Sequence, residues 1–371
     1  MTSSLMVATV QCLLMFLLAL NLSLFNLYFE RKGSALIQDR VGANRANVFG
    51  FGKRLGLPNL GIMNTTIADP LKLFTKEDFV PEGADAMLHG LAPFLALFPV
   101  MVAFVAIPFG DTVTIGGTVY NLQAASLNAG VLYILATLGL GVYGVALAGW
   151  SSNNRWALLG GIRATAQMIS YELAMGLAII SVVMAFGTLD LQEMCRRQGE
   201  LWFGWIPRWG IFLQPLAFVI FLVAGIAESK RVPFDLPEAE SELILGYFTE
   251  YSGGKQVVFM LTDLMEIVLI AMLVTTFFFG GWQIPFLMHD GFHFPGGHFL
   301  ALPSLLVSIL GVVAFLVKVI FLCLLQNVVR WTLPRFRYDQ LMRLGWKVLT
   351  PLGLINIVIT ACAVVAVGRP G

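Results

Sequence analysis

The sequence predicts an all-α polytopic membrane protein with about eight transmembrane helices, and three observations carry that expectation. Of 371 residues, 58% are hydrophobic and only 12% charged, about half the charged content of an ordinary soluble domain. Eight apolar runs approach or exceed the ~20 residues that cross a hydrocarbon core. Lys and Arg gather in alternate loops, as in a chain threaded repeatedly through a bilayer. The net charge of +1 gives no basis for a nucleic-acid partner.

The first run, about residues 5–29, has no basic n-region and no small-residue cleavage site, so it reads as a retained span and not a signal peptide. A loop at 30–84 follows with eight Lys and Arg. Its segment 65–74 mixes apolar residues with Asp69 and Lys72. That pattern predicts a short amphipathic helix at the interface, with Pro70 near its start. Spans are expected next at 88–109, 125–149 and 158–186. The last two of these carry Gly, Ser and Thr at the close spacing of tightly packed membrane helices, as does the sixth span. The loop at 188–210 holds Trp202, Trp205 and Trp209, typical interfacial anchors. Spans at 211–228, 256–281, 302–326 and 348–368 complete a single membrane domain over 1–371, with no internal repeat.

Loops 150–163, 229–255 and 327–347 add two, three and five Lys or Arg, whereas the alternate loops and terminus hold only Arg196, Arg197, Arg208 and Arg369. An even number of spans with this bias places both termini away from the cytoplasm and the loop at 229–255 towards it.

That loop is the chain's main concentration of acid. Residues 228–251 hold Glu228, Asp235, Glu238, Glu240, Glu242 and Glu250, six of 22 acidic residues. Pro233 and Pro237 exclude one continuous helix through its first half. On a helix after Pro237, Glu238 and Glu242 share a face and Glu240 turns away. A solvated acidic loop and a proton-handling site both fit this composition. Inside the spans lie Glu172, Asp263, Glu266 and Lys318, with Glu228 closing the fifth. Ionisable groups are costly there and suggest function, although each also reads as a satisfied structural group. Asp263 and Glu266, three residues apart, share a helix face, and two carboxylates so placed are not both ionised in a low dielectric.

On the basic side, Arg31, Arg40 and Arg45 follow from positive-inside topology alone, or alternate with Glu30 and Asp39 to line a pocket for a polar headgroup. His289, His293 and His298 offer three imidazoles, but in a Gly- and Pro-rich loop without a fixed face, so no metal site is assigned. Cys12, Cys195, Cys323 and Cys362 are scattered, and no C-x-x-C exists to hold an iron–sulfur cluster or structural zinc. No Gly-rich cradle follows a strand, which leaves no visible NAD, flavin or ATP site.

Nine segments resemble one family across nearly the whole chain. They are E-R-K…Q-D-R-V-G-A-N-R (30–45), A-D-P-L-K-L-F-T-K-E-D (68–78), L-A-P (91–93), I-P-F-G (107–110), A-Q-M-I-S-Y-E (166–172), A-E-S-K-R-V-P-F-D-L-P-E-A-E-S-E-L (227–243), Y-F-T-E-Y-S-G (247–253), F-F-G-G-W (278–282) and L-P-R-F-R-Y-D-Q-L-M-R-L-G-W-K (333–347). The chain resembles the membrane subunit that helps form the quinone chamber of respiratory complex I, the H-type subunit family of the NADH-quinone oxidoreductases.

The resemblance implies a non-redox subunit of a proton-pumping NADH:quinone oxidoreductase, with no independent catalytic activity. Quinone is then the bound substrate, and NADH, FMN and the iron–sulfur clusters belong to partner subunits. The implied partners are the soluble iron–sulfur and quinone-site subunits, the antiporter-like membrane subunits and the lipid bilayer. By the same resemblance Glu30, Arg31, Arg40, Arg45, Asp69 and Lys72 border the quinone cavity. Glu172, Glu228, Asp235, Glu238, Glu240, Glu242, Glu250, Asp263 and Glu266 form an acidic funnel into the membrane, and Lys318 matches a lysine of the seventh span.

Departures from the family pattern exist. Ala43 stands where proline is usual, and Lys230 adds a positive charge to A-E-T-N-R-A-P. Asp263 replaces the usual Glu, while Glu266 stands where a neutral residue is common. A length beyond the mitochondrial version and the lack of a presequence point to a bacterial inner membrane. A membrane-bound hydrogenase subunit and a standalone ion transporter are the rival readings.

Overall fold

The computed structural model describes residues 2–42, 67–115, 118–202, 205–237, 240–288, 291–293 and 299–367. Helix α1 (Thr2–Ile37) runs on past its apolar stretch to carry Glu30, Arg31 and Lys32 at its end. The short α2 (Asp69–Phe74) has Pro70 in its first turn, where a missing N–H costs nothing, and leaves Leu71 and Phe74 exposed. That agrees with the interfacial helix expected there.

Helix α3 (Ala86–Phe104) starts at Asp85, whose carboxylate accepts from the N–H groups of Met87 and Leu88. Strands β1 (Thr112–Ile115) and β2 (Thr118–Asn121) form a hairpin before α4 (Gly130–Ser151). Helix α5 (Arg155–Phe186) is capped by Asn154 at one end and by left-handed Gly187 at the other. The small α6 (Leu191–Gln198), β3 (Leu201–Trp202) and β4 (Ile206–Pro207) follow.

The fifth expected span, 211–228, is corrected by the structure. It is broken into α7 (Gly210–Leu213) and α8 (Pro215–Glu228), with Gln214 out of helical geometry at φ −135° and ψ 59°. Pro215 is the cause, because its ring disfavours the α conformation at the residue before it. The 14 residues of α8 reach about 21 Å, short of the ~30 Å hydrocarbon core. Seven described helices are long and apolar enough to cross a membrane, and α8 is the shorter eighth.

After α8 the chain makes a turn-rich excursion containing α9 (Glu240–Leu243) and a 3₁₀ turn at Gly246–Phe248. Helix α10 (Gly253–Phe278) comes next. The three-stranded sheet of β5 (Leu287–Met288), β6 (Gly291–His293) and β7 (Phe299–Ala301) precedes α11 (Ser304–Thr332). Helix α12 (Tyr338–Leu344) then continues through a π-helical turn at Gly345–Leu349 into α13 (Thr350–Val367). The fold is α-helical throughout its spans. The strands, absent from the sequence expectation, sit only in connecting loops and are too short to register as period-2 runs.

Helix α10 is the centre of the bundle. Its apolar stretch is 78% buried, against 11% for α1 and 22% for α11. Small residues set the closest approaches: a Cβ on Gly149 of α4 would lie 3.0 Å from Gly161 Cα of α5, so neither helix tolerates a larger residue at this crossing without moving. The strand-bearing loops meet at one end, where Arg196 pairs with Asp111 at 2.6 Å and Ser308 donates to the Thr112 carbonyl at 3.2 Å. The acidic excursion lies at the other end, with the close of α1, the start of α5 and the start of α12.

Candidate functional site

The excursion after α8 is fixed to the bundle by one buried amide. Gln167 of α5 donates through Nε2 to the carbonyls of Ala227 at 2.7 Å and Phe234 at 2.9 Å, gripping both ends of the turn between them. From the other side the Phe336 N–H donates to the Pro233 carbonyl at 3.0 Å, and the Phe234 and Phe336 rings stack with centroids 5.4 Å apart. The segment 333–337 therefore covers 231–236. Nothing in the sequence assigns Gln167 a role; its signals are its place in the segment 166–172 and a full amide within an apolar span.

Charged groups occur here in three tiers. At the rim, Glu30 accepts from Arg231 Nη1 at 3.2 Å and from Arg330, and Arg31 pairs with Asp69. Arg335 donates to Asp235 at 2.7 Å. Burial pushes the Asp235 carboxyl above its ordinary range, against the opposing pull of Arg335, Arg330 and Arg231. Arg40 and Lys72 are exposed on the same side, Arg40 reaching Gln38 Oε1 at 2.7 Å. Below Arg231 and Arg330 a crevice lined by Ile226, Ile267, Gln326 and Asn327 holds about 10 Å³, water-sized room only.

The second tier lies inside the bundle. Lys230, 1% exposed, sits 3.1 Å from Asp263 Oδ1 and 3.1 Å from Glu266 Oε2. Both carboxylates lie on α10 one turn apart, so the shared face read from the sequence is real, and it is turned on a cation 33 and 36 positions earlier in the chain. Glu228 is 3% exposed, and its Oε2 has no hydrogen-bond partner among the described residues. Its charged neighbours are Glu266, Glu172 and Lys230. Glu172, half-buried on α5, leans on Gly139 of α4, where any side chain would meet its Oε1.

The third tier runs sideways from α5. Glu242 pairs with Arg163 at 2.7 Å, and Asn154 donates to Glu250 Oε1 at 2.6 Å. Beyond them, His89 stacks on Tyr251 with centroids 4.1 Å apart, while Lys255 bridges to Asp78 at 3.0 Å. The sequence flags neither side chain: His89 lies in none of the quoted segments, and Tyr251 is passed over beside Glu250 in the segment 247–253.

Lys318 joins none of these tiers. Its ammonium donates to the carbonyls of Phe279, Gly281 and Gln283 at 2.8, 3.0 and 2.7 Å, closing the C-terminal end of α10 on the strand-bearing side. Arg45, Glu238, His289 and His298 lie outside the described residues, and Glu240 is described by its backbone in α9. His293 lies on β6 with its ring 4.7 Å from that of Phe299.

A family model described as NADH dehydrogenase matches residues 10–361. The chain is similar to an H-type subunit of the NADH-quinone oxidoreductase of Geobacter sulfurreducens, 45% identical over 347 residues, which cover 94% of this chain and 93% of the relative. It is 42% identical over 349 residues to the corresponding NADH-quinone oxidoreductase subunit of Cytophaga hutchinsonii, covering 94% of each. A third relative, the corresponding subunit of Rhizobium etli, is 40% identical over 366 residues, covering 99% of this chain and 96% of that one.

Proposed function

We propose, from the premise that this chain belongs to the NADH dehydrogenase family and is a membrane subunit of an NADH-quinone oxidoreductase, that it borders the site of quinone reduction and carries the resulting charge change into the membrane. The observation that supports this best is that two sets of ion pairs, Glu30 with Arg231 at the rim and Lys230 with Asp263 and Glu266 in the bundle, hang on one turn of the chain. Arg231 and Lys230 are adjacent in the chain, so one turn links both tiers.

In this reading Glu30, Arg31, Arg40, Asp69 and Lys72 edge the quinone cavity, together with Arg45. A partner subunit completes the chamber in this reading. Quinone is the substrate and takes two electrons, delivered by an iron–sulfur partner, and two protons. NADH and FMN bind elsewhere in the complex.

Negative charge arriving at the rim raises the proton affinity of nearby carboxylates. Glu228, Asp263 and Glu266 respond inside the bundle, with Glu172 beside them. Asp235, Glu238, Glu240, Glu242 and Glu250 respond along the excursion, which rearranges and passes the change to antiporter-like membrane subunits. Lys318 contributes from the far end of α10 by holding that helix in place. The membrane is a bacterial inner membrane, with both termini away from the cytoplasm.

Mass spectrometry of what copurifies from native membranes in mild detergent is the first test. Flavoprotein, iron–sulfur and antiporter-like partners are expected, and purification of the chain alone defeats the proposal. The second test is Glu242→Gln, expected to lower turnover and the protons moved per electron. Unchanged values of both would remove the acidic excursion from the coupling path.

A further inference from the structure

Lys230 occupies an unusual position in three respects. Its backbone is left-handed, with φ 53°, a region that glycine or asparagine enters at less cost than lysine. Its side chain is buried, where an ammonium persists only if other groups compensate its charge. The compensation is double: Asp263 and Glu266 approach the same nitrogen at equal distance. A turn alone asks for none of this.

One cation thus faces two carboxylates, with a third, Glu228, beside Glu266. Arg231, the next cation, is held by Glu30, and Arg330 of α11 is held by the same carboxylate. From α5 the facing charge is Glu172. His89 of α3 lies instead beside Lys255, towards the start of α10. Counted together, the carboxylates of Glu30, Asp263 and Glu266 face the cations Lys230, Arg231 and Arg330, and Lys230 is the cation held by the carboxylate pair of α10.

We infer that Lys230 is a positioning residue of the proton path: it clamps Asp263 and Glu266 into one unit, so that a proton passes through the pair and not through either carboxylate alone. The inference rests on the reading that this chain couples quinone reduction to proton movement. It assigns the path a lysine-centred triad.

The test is the pH profile of NADH-driven quinone reduction and vesicle acidification by the whole complex. Wild type is compared with Lys230→Asn, Lys230→Arg, Glu266→Gln and the double variant Lys230→Asn/Glu266→Gln. Asparagine suits the left-handed backbone, so the first variant removes the charge without straining the turn. Without the cation the pair is harder to ionise, and the acid-side limb moves to higher pH by about one to three units. Glu266→Gln gives Lys230 to Asp263 alone and moves that limb to lower pH. The double variant returns towards wild type, and Lys230→Arg stays with it.

Superimposable profiles for wild type, Lys230→Asn and Glu266→Gln overturn the inference. If Lys230→Asn does not assemble, Glu266→Gln decides, and an unmoved limb there overturns it equally. Failure of the underlying reading is seen separately, as quinone reduction without acidification by the wild type. A profile altered by Glu242→Gln but not by Lys230→Asn sinks the triad alone.

Discussion

Glu30 ties together the end of α1, the turn after α8 and the end of α11, since Arg231 and Arg330 both pair with its carboxylate. Glu30→Gln removes the carboxylate that two partly buried guanidinium groups share. The expected cost is ~1–3 kcal/mol, below the ~3–5 for a fully buried pair because both arginines keep some water. It is read as a lower melting temperature of the solubilised complex. Adding Arg330→Gln should cost little more, because the two residues share one interaction; additive losses would contradict the shared clamp. Asp235 gives a pH signature of opposite origin. Its folded carboxyl lies above the ordinary ~3.9, so the folded state binds that proton more tightly than the unfolded chain. Its contribution is complete below the ordinary value and is lost as pH rises through the raised one. Asp235→Asn removes that dependence and should flatten the stability profile above pH ~4, measured by melting across pH. At this scale the sequence is half legible. Asp263 and Glu266 announce a shared face by their spacing. Lys230 reads only as extra loop charge, because nothing local reveals a partner 33 residues away.

Elements are easier to read than their interruptions. Apolar length locates every long span, because the bilayer imposes a single length rule on all of them. It joins α7 to α8, although Pro215 holds the signal for the break. The break brings Gln214 into a buried polar set: Asn356 donates to its Oε1 at 3.0 Å, and its Nε2 donates to Thr360 Oγ1 at 2.9 Å. Neighbouring helices thereby supply partners for polar groups that the broken helix leaves in the membrane interior. The packing of α5 makes a sharper prediction. A Cβ on Gly160 would come within 2.7 Å of Gly246 Cα and the Tyr247 nitrogen, backbone atoms of the excursion, whereas nothing lies within 4 Å of one on Gly176. Gly160→Val should therefore displace the excursion, at a cost of ~1–3 kcal/mol or more, and depress quinone-coupled turnover. Gly176→Val should leave turnover near wild type. Equal effects from the two variants would mean that the contact between α5 and the 3₁₀ turn has no bearing on the site.

On the scale of the whole molecule the two ends of the bundle differ in charge as well as in shape. The strand-bearing end neutralises its own arginines, Arg196 on Asp111 and Arg208 on Glu200. The other end carries Arg31, Lys32, Arg40, Lys72, Arg155, Arg163, Arg335 and Arg343 besides its acidic excursion. Insertion is governed by Lys and Arg more than by net charge, so the carboxylates at that end do not cancel the bias. Hydropathy and loop charge thus make the architecture legible from sequence. The pairing across the bundle is not, because it depends on which helices lie side by side. The orientation is open to a direct check in a chain with Cys12 and Cys362 replaced by serine; the two remaining cysteines, Cys195 and Cys323, are buried. Arg155 and Trp205 are exposed at opposite ends. An impermeant maleimide should modify Arg155→Cys only in inverted vesicles and Trp205→Cys only in right-side-out ones. The reverse pattern would turn the molecule over and place the acidic excursion outside. Labelling of both from one side would mean that α5, the long helix between the two positions, does not cross, and would break the alternation of spans itself.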